Sequence, residues 1–76
     1  MTFIHTPEQL GQALRSARKQ LALTQPQLAL AAGVGVRFVV ELEAGKPTVR
    51  LVQVLRVIDA LGGTLQLTGL PGAEEQ

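Results

Sequence analysis

Residues 23–43 read LTQPQLALAAGVGVRFVVELE and predict two short helices joined by a turn that contains glycine. The first helix is expected to begin after Thr24, whose hydroxyl can accept a hydrogen bond from the backbone N–H of Gln27. The Gln27 side chain can reach back to the same residue, which completes a capping box. The helix is expected to end at Gly33, because glycine readily takes the left-handed backbone conformation that terminates helices. The second helix is expected from about Val36 to Glu43.

Two helices of this length across such a turn form a helix-turn-helix motif, which places its second helix in the major groove of DNA. Before the motif, residues 6–9 (TPEQ) have the pattern of a second capping box with proline at the first helical position, and this helix is expected to end near Gln20. After the motif, Thr48 is expected to cap a last helix over residues 49–61, which Gly62 and Gly63 end. One stripe of that helix is expected to be buried and comprises Leu51, Val54, Leu55, Ile58 and Leu61.

The end of the sequence predicts a strand, because residues 64–68 (TLQLT) alternate polar and apolar side chains after two glycines. A single strand leaves its backbone groups unpaired, and Phe3 and Ile4 offer only a very short partner strand. Val52 and Val57 lie outside the expected stripe of the last helix, so its apolar surface covers more than half of its circumference. Pairing with a second copy across a two-fold axis accounts for both features. We therefore expect a homodimer whose interface is formed by Val57, Leu61, Leu65 and Leu67.

Length and composition describe one small domain, expected over residues 1–70, followed by a disordered polar tail at 71–76. The chain has no cysteine and a single histidine, so we expect no catalytic residues, no metal and no cofactor, and thus not an enzyme. No apolar run is long enough to cross a membrane, and residues 1–9 lack a signal-peptide pattern. We therefore expect no membrane association and a cytoplasmic location.

The distribution of charge is compatible with DNA binding. The formal net charge is +1, but 2 of the 6 acidic residues lie in the tail, so residues 1–73 carry 7 basic and 4 acidic side chains. This gives a modest positive charge for contacts with phosphates. Aromatic residues make up only 3% of the chain, which argues against a protein that stacks single-stranded bases on aromatic rings.

The stretch from Leu10 to Leu67 resembles the Xre-type helix-turn-helix family, to which the lambda and 434 repressors belong. The resemblance rests on RKQLALTQPQLALAAGV, on the turn ELEAGKPT, and on VLRVIDALGG followed by the predicted strand. This ending also looks like that of HipB-like antitoxins, which pair through a C-terminal strand, repress their own operon and bind a HipA-like serine/threonine kinase toxin. The resemblance implies a mainly all-α, lambda-repressor-like fold of four to five helices with one short strand paired across a dimer. It also implies a repressor that binds an inverted-repeat operator in double-stranded DNA and has a HipA-like kinase as partner.

The resemblance also assigns roles to individual residues. Gln25 matches a glutamine that holds a phosphate and supports the recognition helix, residues 36–43. Arg18 and Glu43 match a partly buried ion pair that ties the first helix to the recognition helix. The residues expected to meet base edges are Val36, Arg37, Val40 and Glu41. Gln25 is therefore expected to contact a phosphate. Lys46, in the loop after the recognition helix, and Arg50, near the start of the last helix, are expected to do so because of their places in the chain.

The recognition helix departs from the family pattern at its start and along its exposed face. Gly35 stands where Ser, Thr or Asn is usual. Val36 and Val40 cannot donate hydrogen bonds and can contact only thymine methyl groups or sugars, whereas Arg37 can read guanine with two hydrogen bonds. Whether the two valines face DNA or a protein partner stays open.

Two alternatives to an autoregulating antitoxin also stay open. The first is a protein-interaction module that neutralises a partner toxin and has little specific DNA binding. The second is a free-standing phage-type regulator.

Overall fold

The computed structural model describes residues 3–72 and folds them into four α-helices. The helices are α1 (Pro7–Gln20), α2 (Gln25–Ala32), α3 (Val36–Glu43) and α4 (Leu51–Ala60). No strand forms within residues 3–72 of the single chain, and the prediction of an all-α fold is confirmed. The bounds of α1, α2 and α3 agree with those predicted from the sequence.

Side-chain caps fix the starts of α1 and α2. The hydroxyl of Thr24 accepts from the N–H of Gln27 at 3.1 Å, and Gln27 Oε1 accepts from the N–H of Thr24 at 2.8 Å, which completes the predicted capping box. At α1 the hydroxyl of Thr6 accepts from the N–H of Gln9 at 3.1 Å. The Gln9 side chain, however, accepts from the N–H of His5 at 2.6 Å and does not close the predicted box on Thr6.

The core lies around α2, which packs against both α3 and α4, while α1 packs against α3. Leu28 of α2, Val39 and Leu42 of α3, and Val57 of α4 are its largest fully buried side chains. The other buried apolar residues are Leu14, Ala29, Ala32, Val54 and Ile58. Removing these side chains from water is the main favourable term in folding so small a domain, and it holds the α2–α3 pair between α1 and α4.

The start of α4 differs from the prediction. Its N-cap is Arg50, which has an extended backbone (φ −75°, ψ 125°) and makes no side-chain capping hydrogen bond. Thr48 is therefore not the cap. Val49 packs against the core, and this contact keeps the chain extended past Thr48 until the helix begins at Leu51.

The buried face of α4 also differs from the predicted stripe. Val54, Val57 and Ile58 are buried, whereas Leu51 is 65% exposed and Leu55 is 39% exposed. Because α4 is apolar on most sides, the spacing of its apolar residues alone does not identify the buried face. The position of α2 determines which face is buried. The assignment of Val57 to a dimer interface is wrong, because its side chain is fully buried in the core of its own protomer.

Residues 64–72 follow α4 as an exposed segment without helix or strand. As predicted, glycines end α4: the N–H of Gly62 (φ 78°) donates to Asp59 O, and the N–H of Gly63 donates to Ile58 O, each at 2.9 Å. Within residues 3–72 no backbone hydrogen bond joins residues 64–68 to residues 3 and 4. Pairing of this segment with a second copy stays a prediction. Residues 73–76, which include most of the predicted tail, lie outside the described residues.

Candidate nucleic-acid interface

The turn between α2 and α3 is set by Gly33, which has a left-handed backbone (φ 71°, ψ 34°). After it, the N–H of Val34 donates to Ala29 O at 3.0 Å, and the half-buried Val34 side chain packs against the core. Gly35 is the N-cap of α3 and has no side-chain capping hydrogen bond. A Cβ atom added to Gly35 would meet nothing within 4 Å, so α3 begins in open space.

The inner side of α3 is fixed by two buried side chains and by a close approach of α1. Val39 and Leu42 face the core and are 0% and 2% exposed. A Cβ atom added to Gly11 of α1 would lie 2.5 Å from Leu42 O and 2.8 Å from Glu43 O. Only glycine allows α1 to pass this close to the C-terminal end of α3. Gly11 was not among the residues predicted from the sequence, although a glycine inside a strong helical pattern indicates close packing.

The end of α3 is a Schellman motif centred on Gly45, whose φ is 88°. The N–H of Gly45 donates to Leu42 O and the N–H of Lys46 donates to Glu41 O, each at 3.1 Å. A Cβ atom on Gly45 would also lie 2.9 Å from Glu8 Cγ of α1. The motif therefore fixes where the chain leaves α3 and places Lys46 beside Glu41.

A buried network of polar side chains joins α1, α2 and α3. Arg18 Nε lies 2.7 Å from Glu43 Oε2, and Arg18 Nη2 donates to Glu43 Oε1 at 3.0 Å, so the pair is bidentate. Arg18 Nη1 donates to Leu23 O at 2.8 Å, and Gln25 Nε2 donates to Glu43 Oε1 at 3.1 Å. The two charged side chains are only 10% and 4% exposed. The structure thus brings together Arg18, Glu43 and Gln25.

Every polar side-chain atom that is buried within residues 3–72 has a hydrogen-bond partner, so this network leaves none unsatisfied. The hydrogen bond to Glu43 raises the pKa of Arg18 above its ordinary value, with a further contribution from the carboxylate charge and against the opposing effect of burial. Arg18 therefore stays protonated, and the pair can act as a fixed brace between helices.

The outer face of α3 carries the four residues predicted to meet base edges. Val36 and Val40 are 45% and 44% exposed, and the Arg37 side chain is 90% exposed. Glu41 lies on the same face with its carboxylate between two cations: Arg37 Nε is 3.5 Å from Glu41 Oε2, and Lys46 Nζ is 3.3 Å from Glu41 Oε1. We refer to Val36, Arg37, Val40, Glu41 and Lys46 as the α3 surface.

The residues predicted to contact phosphates are placed differently from one another. Lys46 belongs to the α3 surface, whereas the amide nitrogen of half-buried Gln25 is engaged by Glu43 at the junction of α2 and α3. Arg50 is exposed at the N-terminus of α4 and makes no ion pair with any of residues 3–72. Helix N-termini favour phosphate, so the position of Arg50 suits such a contact.

Of the remaining residues predicted at a dimer interface, Leu61 is half-buried, while Leu65 and Leu67 are 52% and 66% exposed. In the part of the chain that the structure describes, no group of His, Cys, Asp or Glu side chains could hold a metal ion. None of the four helices is both long and apolar enough to span a bilayer.

Residues 9–74 match the family model of the helix-turn-helix domain. An uncharacterised HTH-type transcriptional regulator of Sinorhizobium fredii, y4mF, is 47% identical over 64 residues, which cover 84% of each chain. The crystal structure of ClgR, the clp gene regulator from C. glutamicum, has a TM-score of 0.70 at 37% identity and covers 78% of this chain and 76% of that chain.

Chains of two solved complexes show the same fold over a larger part of the molecule. The HipA–HipB–O2–O3 complex and the HipB–O4 20mer complex each give a TM-score of 0.84 at 22% identity, covering 93% of this chain and 100% of that chain. The similarity to HipB is therefore confirmed at the level of the fold. The family match spans most of the sequence and agrees with the α2–turn–α3 geometry. The chain belongs to the helix-turn-helix family of transcriptional regulators.

Proposed function

We propose that this protein is a sequence-specific DNA-binding repressor that binds an inverted repeat as a homodimer, with the α3 surface in the major groove. The observation that carries the proposal is the contrast between the two sides of α3. Its inner side is locked by Val39, Leu42 and the Arg18–Glu43 pair, while Arg37 on the outer side is 90% exposed. A rigid helix with an exposed guanidinium group is suited to reading base edges.

Arg37 is the proposed reader of guanine. In the free protein it pairs with Glu41 four residues later, an exposed contact worth about 0.3–0.5 kcal/mol. A bidentate contact to guanine O6 and N7 contributes about 1–3 kcal/mol of discrimination between bases. Guanine is therefore the stronger partner. Val36 and Val40 on either side can contact thymine methyl groups.

Phosphate contacts are assigned to Lys46, Arg50 and Gln25. Lys46 lies in the turn after α3, and Arg50 is the N-cap of α4. Gln25 begins α2, and its amide reaches Glu43 of α3, so a phosphate held there would support the orientation of the recognition helix. Such contacts give affinity and register on the duplex but little sequence preference.

The proposed homodimer rests on apolar surface that a single chain leaves in water. Leu65 and Leu67 alternate with polar residues in the exposed segment after α4, and Leu61 adjoins them. Strand pairing of residues 64–68 across a two-fold axis would cover these leucines and satisfy the backbone groups. It would also set two α3 helices about 34 Å apart, one turn of B-DNA.

The likeness of fold to chains of the HipA–HipB–O2–O3 complex supports a more specific role. We infer that the protein is the antitoxin of a HipBA-like toxin–antitoxin operon, which it represses, and that its protein partner is a HipA-like kinase. A second candidate function is a protein-interaction module that neutralises a toxin with little specific DNA binding. The 45% and 44% exposure of Val36 and Val40 favours that candidate, because apolar side chains on the recognition face suit a protein partner.

A gel-retardation experiment with the duplex upstream of the protein's own gene tests the proposal. Arg37→Ala is expected to weaken binding by about 10-fold or more, because it removes the main contact to base edges. Arg15→Ala is the matched control: Arg15 is also exposed but lies on α1, and within residues 3–72 it makes no ion pair.

The affinity of Arg15→Ala for the upstream duplex is expected to stay within about threefold of the wild-type value, since one charge away from the α3 surface contributes little to binding. Unchanged binding by Arg37→Ala contradicts the proposed readout. If the wild-type protein does not prefer the upstream duplex over DNA of arbitrary sequence, the interaction module is favoured instead.

A further inference from the structure

The α3 surface holds one carboxylate between its two cations. Glu41 Oε2 lies 3.5 Å from Arg37 Nε, and its Oε1 lies 3.3 Å from Lys46 Nζ. The Glu41 side chain is 33% exposed, whereas that of Arg37 is 90% exposed, so Glu41 is the less accessible of the two. A carboxylate at this place repels phosphate, which makes it an unexpected residue on a surface that binds DNA.

The backbone places Lys46 against Glu41, so this contact is more than an encounter of two mobile side chains. The Schellman motif at Gly45 makes the N–H of Lys46 donate to the carbonyl of Glu41 at 3.1 Å. The same two residues therefore meet through backbone and side chain. The pairing of Glu41 with Lys46 follows from the way in which α3 ends.

The contact with Arg37 is made at Nε of the guanidinium group, 3.5 Å from Glu41 Oε2. Glu41 approaches Nε, and Arg37 makes no other ion pair or side-chain hydrogen bond with residues 3–72. The two terminal nitrogens are the atoms that can form an end-on fork with guanine O6 and N7. The contact is weak, because Arg37 is 90% exposed and lies 3.5 Å from the carboxylate, so two directed hydrogen bonds to guanine can replace it.

Electrostatics gives Glu41 a second effect. It reduces the formal charge of Arg37, Glu41 and Lys46 together to +1, while the two cations alone would carry +2. Binding to DNA of arbitrary sequence depends mainly on neutralising phosphates, so a carboxylate that occupies both cations opposes it. Glu41 lowers the affinity for a site with guanine less, because Arg37 there forms two directed hydrogen bonds with the base.

We propose that Glu41 is a specificity-determining residue, because its carboxylate competes with phosphates for Lys46 and Arg37. Its main effect is to lower affinity for DNA of arbitrary sequence. This inference rests on the proposed DNA-binding function of the same surface. This role differs from a direct contact with a base edge, in which the Glu41 carboxylate would accept a hydrogen bond from cytosine N4.

Glu41→Gln keeps the shape of the side chain and removes its charge. Its binding is measured on a duplex of arbitrary sequence and on the duplex upstream of the gene, over a range of salt concentrations. Affinity for the arbitrary duplex is expected to rise about 3- to 10-fold, and the slope of log K against log salt is expected to steepen by about one. Preference for the upstream duplex should fall by a similar factor.

Asp59→Asn is the matched control, because Asp59 is exposed and makes no ion pair within residues 3–72. The affinity of this variant for both duplexes should stay within about twofold of the wild-type values.

A second measurement separates restraint of the two cations from simple repulsion. In a protein that carries Arg37→Ala and Lys46→Ala, adding Glu41→Gln should change affinity for the arbitrary duplex by less than about twofold. An undiminished gain in that background contradicts the proposal and shows that Glu41 acts only as a repulsive charge. The proposal is also wrong if Glu41→Gln leaves the affinity for the arbitrary duplex unchanged and removes the preference for one G·C pair. That result is expected if Glu41 contacts cytosine directly. Failure of the proposed function looks different, because the wild-type protein would then show no preference for the upstream duplex.

Discussion

Glu43 receives three hydrogen bonds, two from Arg18 of α1 and one from Gln25 of α2. Its own helix, α3, carries the proposed reading residues, so this carboxylate connects the position of the recognition helix to the rest of the fold. Because both charges are nearly buried, the net gain from the pair is small, whereas removal of one partner leaves the other poorly solvated. The importance of the pair lies in fixing the geometry of α3.

Glu43→Ala is expected to lower the free energy of unfolding by about 3 kcal/mol. This is the lower end of the range for breaking a buried pair, since the Arg18 side chain keeps 10% of its surface in water. Domains of 76 residues have a total stability of about 4–11 kcal/mol, so the loss should be plain in urea unfolding followed by circular dichroism. The variant with both Arg18→Met and Glu43→Leu should lose less than Glu43→Ala, because no unpaired charge remains. A loss below about 1 kcal/mol for Glu43→Ala contradicts the bracing role.

Arg18 should not make stability depend on pH under ordinary conditions. The pKa of Arg18 is raised in the folded state, chiefly by its hydrogen bond to Glu43. A raised pKa stabilises the fold fully below the unfolded-state pKa, and this stabilisation is lost only as pH rises through the folded-state pKa. For an arginine both values lie far above neutrality, so its contribution is constant across the working range.

At the scale of elements, the contact between α1 and α3 depends on Gly11. Alanine is a better helix former than glycine by about 1 kcal/mol, so propensity alone predicts that Gly11→Ala stabilises the protein. The added Cβ, however, would lie 2.5 Å from the backbone oxygen of Leu42, which cannot move aside as a flexible side chain could. Overpacking of this kind opposes folding by about 1–3 kcal/mol.

Because the clash is with backbone atoms, the cost should lie in the upper part of this range, about 2–3 kcal/mol, which leaves a net loss of about 1–2 kcal/mol after the gain in helix propensity. We therefore expect Gly11→Ala to lower the Tm by about 5–10 °C. Gly35→Ser is the control: its backbone is ordinary (φ −73°), its Cβ meets nothing within 4 Å, and its hydroxyl adds the missing N-cap of α3. It should raise stability by a few tenths of a kcal/mol. A higher Tm for Gly11→Ala means that α1 does not approach α3 this closely.

The sequence was sufficient to predict α1, α2 and α3 because their ends are determined locally. Thr6 and Thr24 cap them through hydrogen bonds to residues three positions away, and Gly33 ends α2 through its own backbone conformation. The Arg18–Glu43 pair spans 25 residues and came only from family resemblance, since nothing in the local pattern joins the two.

Features that depend on packing between distant segments were missed or misplaced. The N-cap of α4 is Arg50, later than predicted, because Val49 packs against the core. Val57 is buried, although an interface position was predicted, because α2 covers that side of α4. The pairing of Glu41 with Lys46 arises from the Schellman motif at Gly45, which periodicity does not indicate. In each case tertiary contacts select among choices that the local sequence permits.

At the scale of the whole molecule, the account requires a dimer. Leu67→Glu is expected to give a monomer mass in light scattering at micromolar concentration, because a charge would enter the strand that pairs across the two-fold axis. Leu30→Glu is the control: Leu30 is 85% exposed on α2, outside the proposed interface, so this variant should keep the dimer mass. A monomer mass for the wild-type protein contradicts the proposed assembly.

Arg37 of α3 is proposed to read guanine from the major groove, and methylation interference at guanine N7 tests this readout at the base itself. For the wild-type protein on the duplex upstream of its gene, methylation of one guanine in each half-site should block binding, with the two positions about 10 base pairs apart. For Arg37→Ala the residual binding should be insensitive to methylation at those two guanines. No interference in the wild type, or the same interference in Arg37→Ala, would contradict the account.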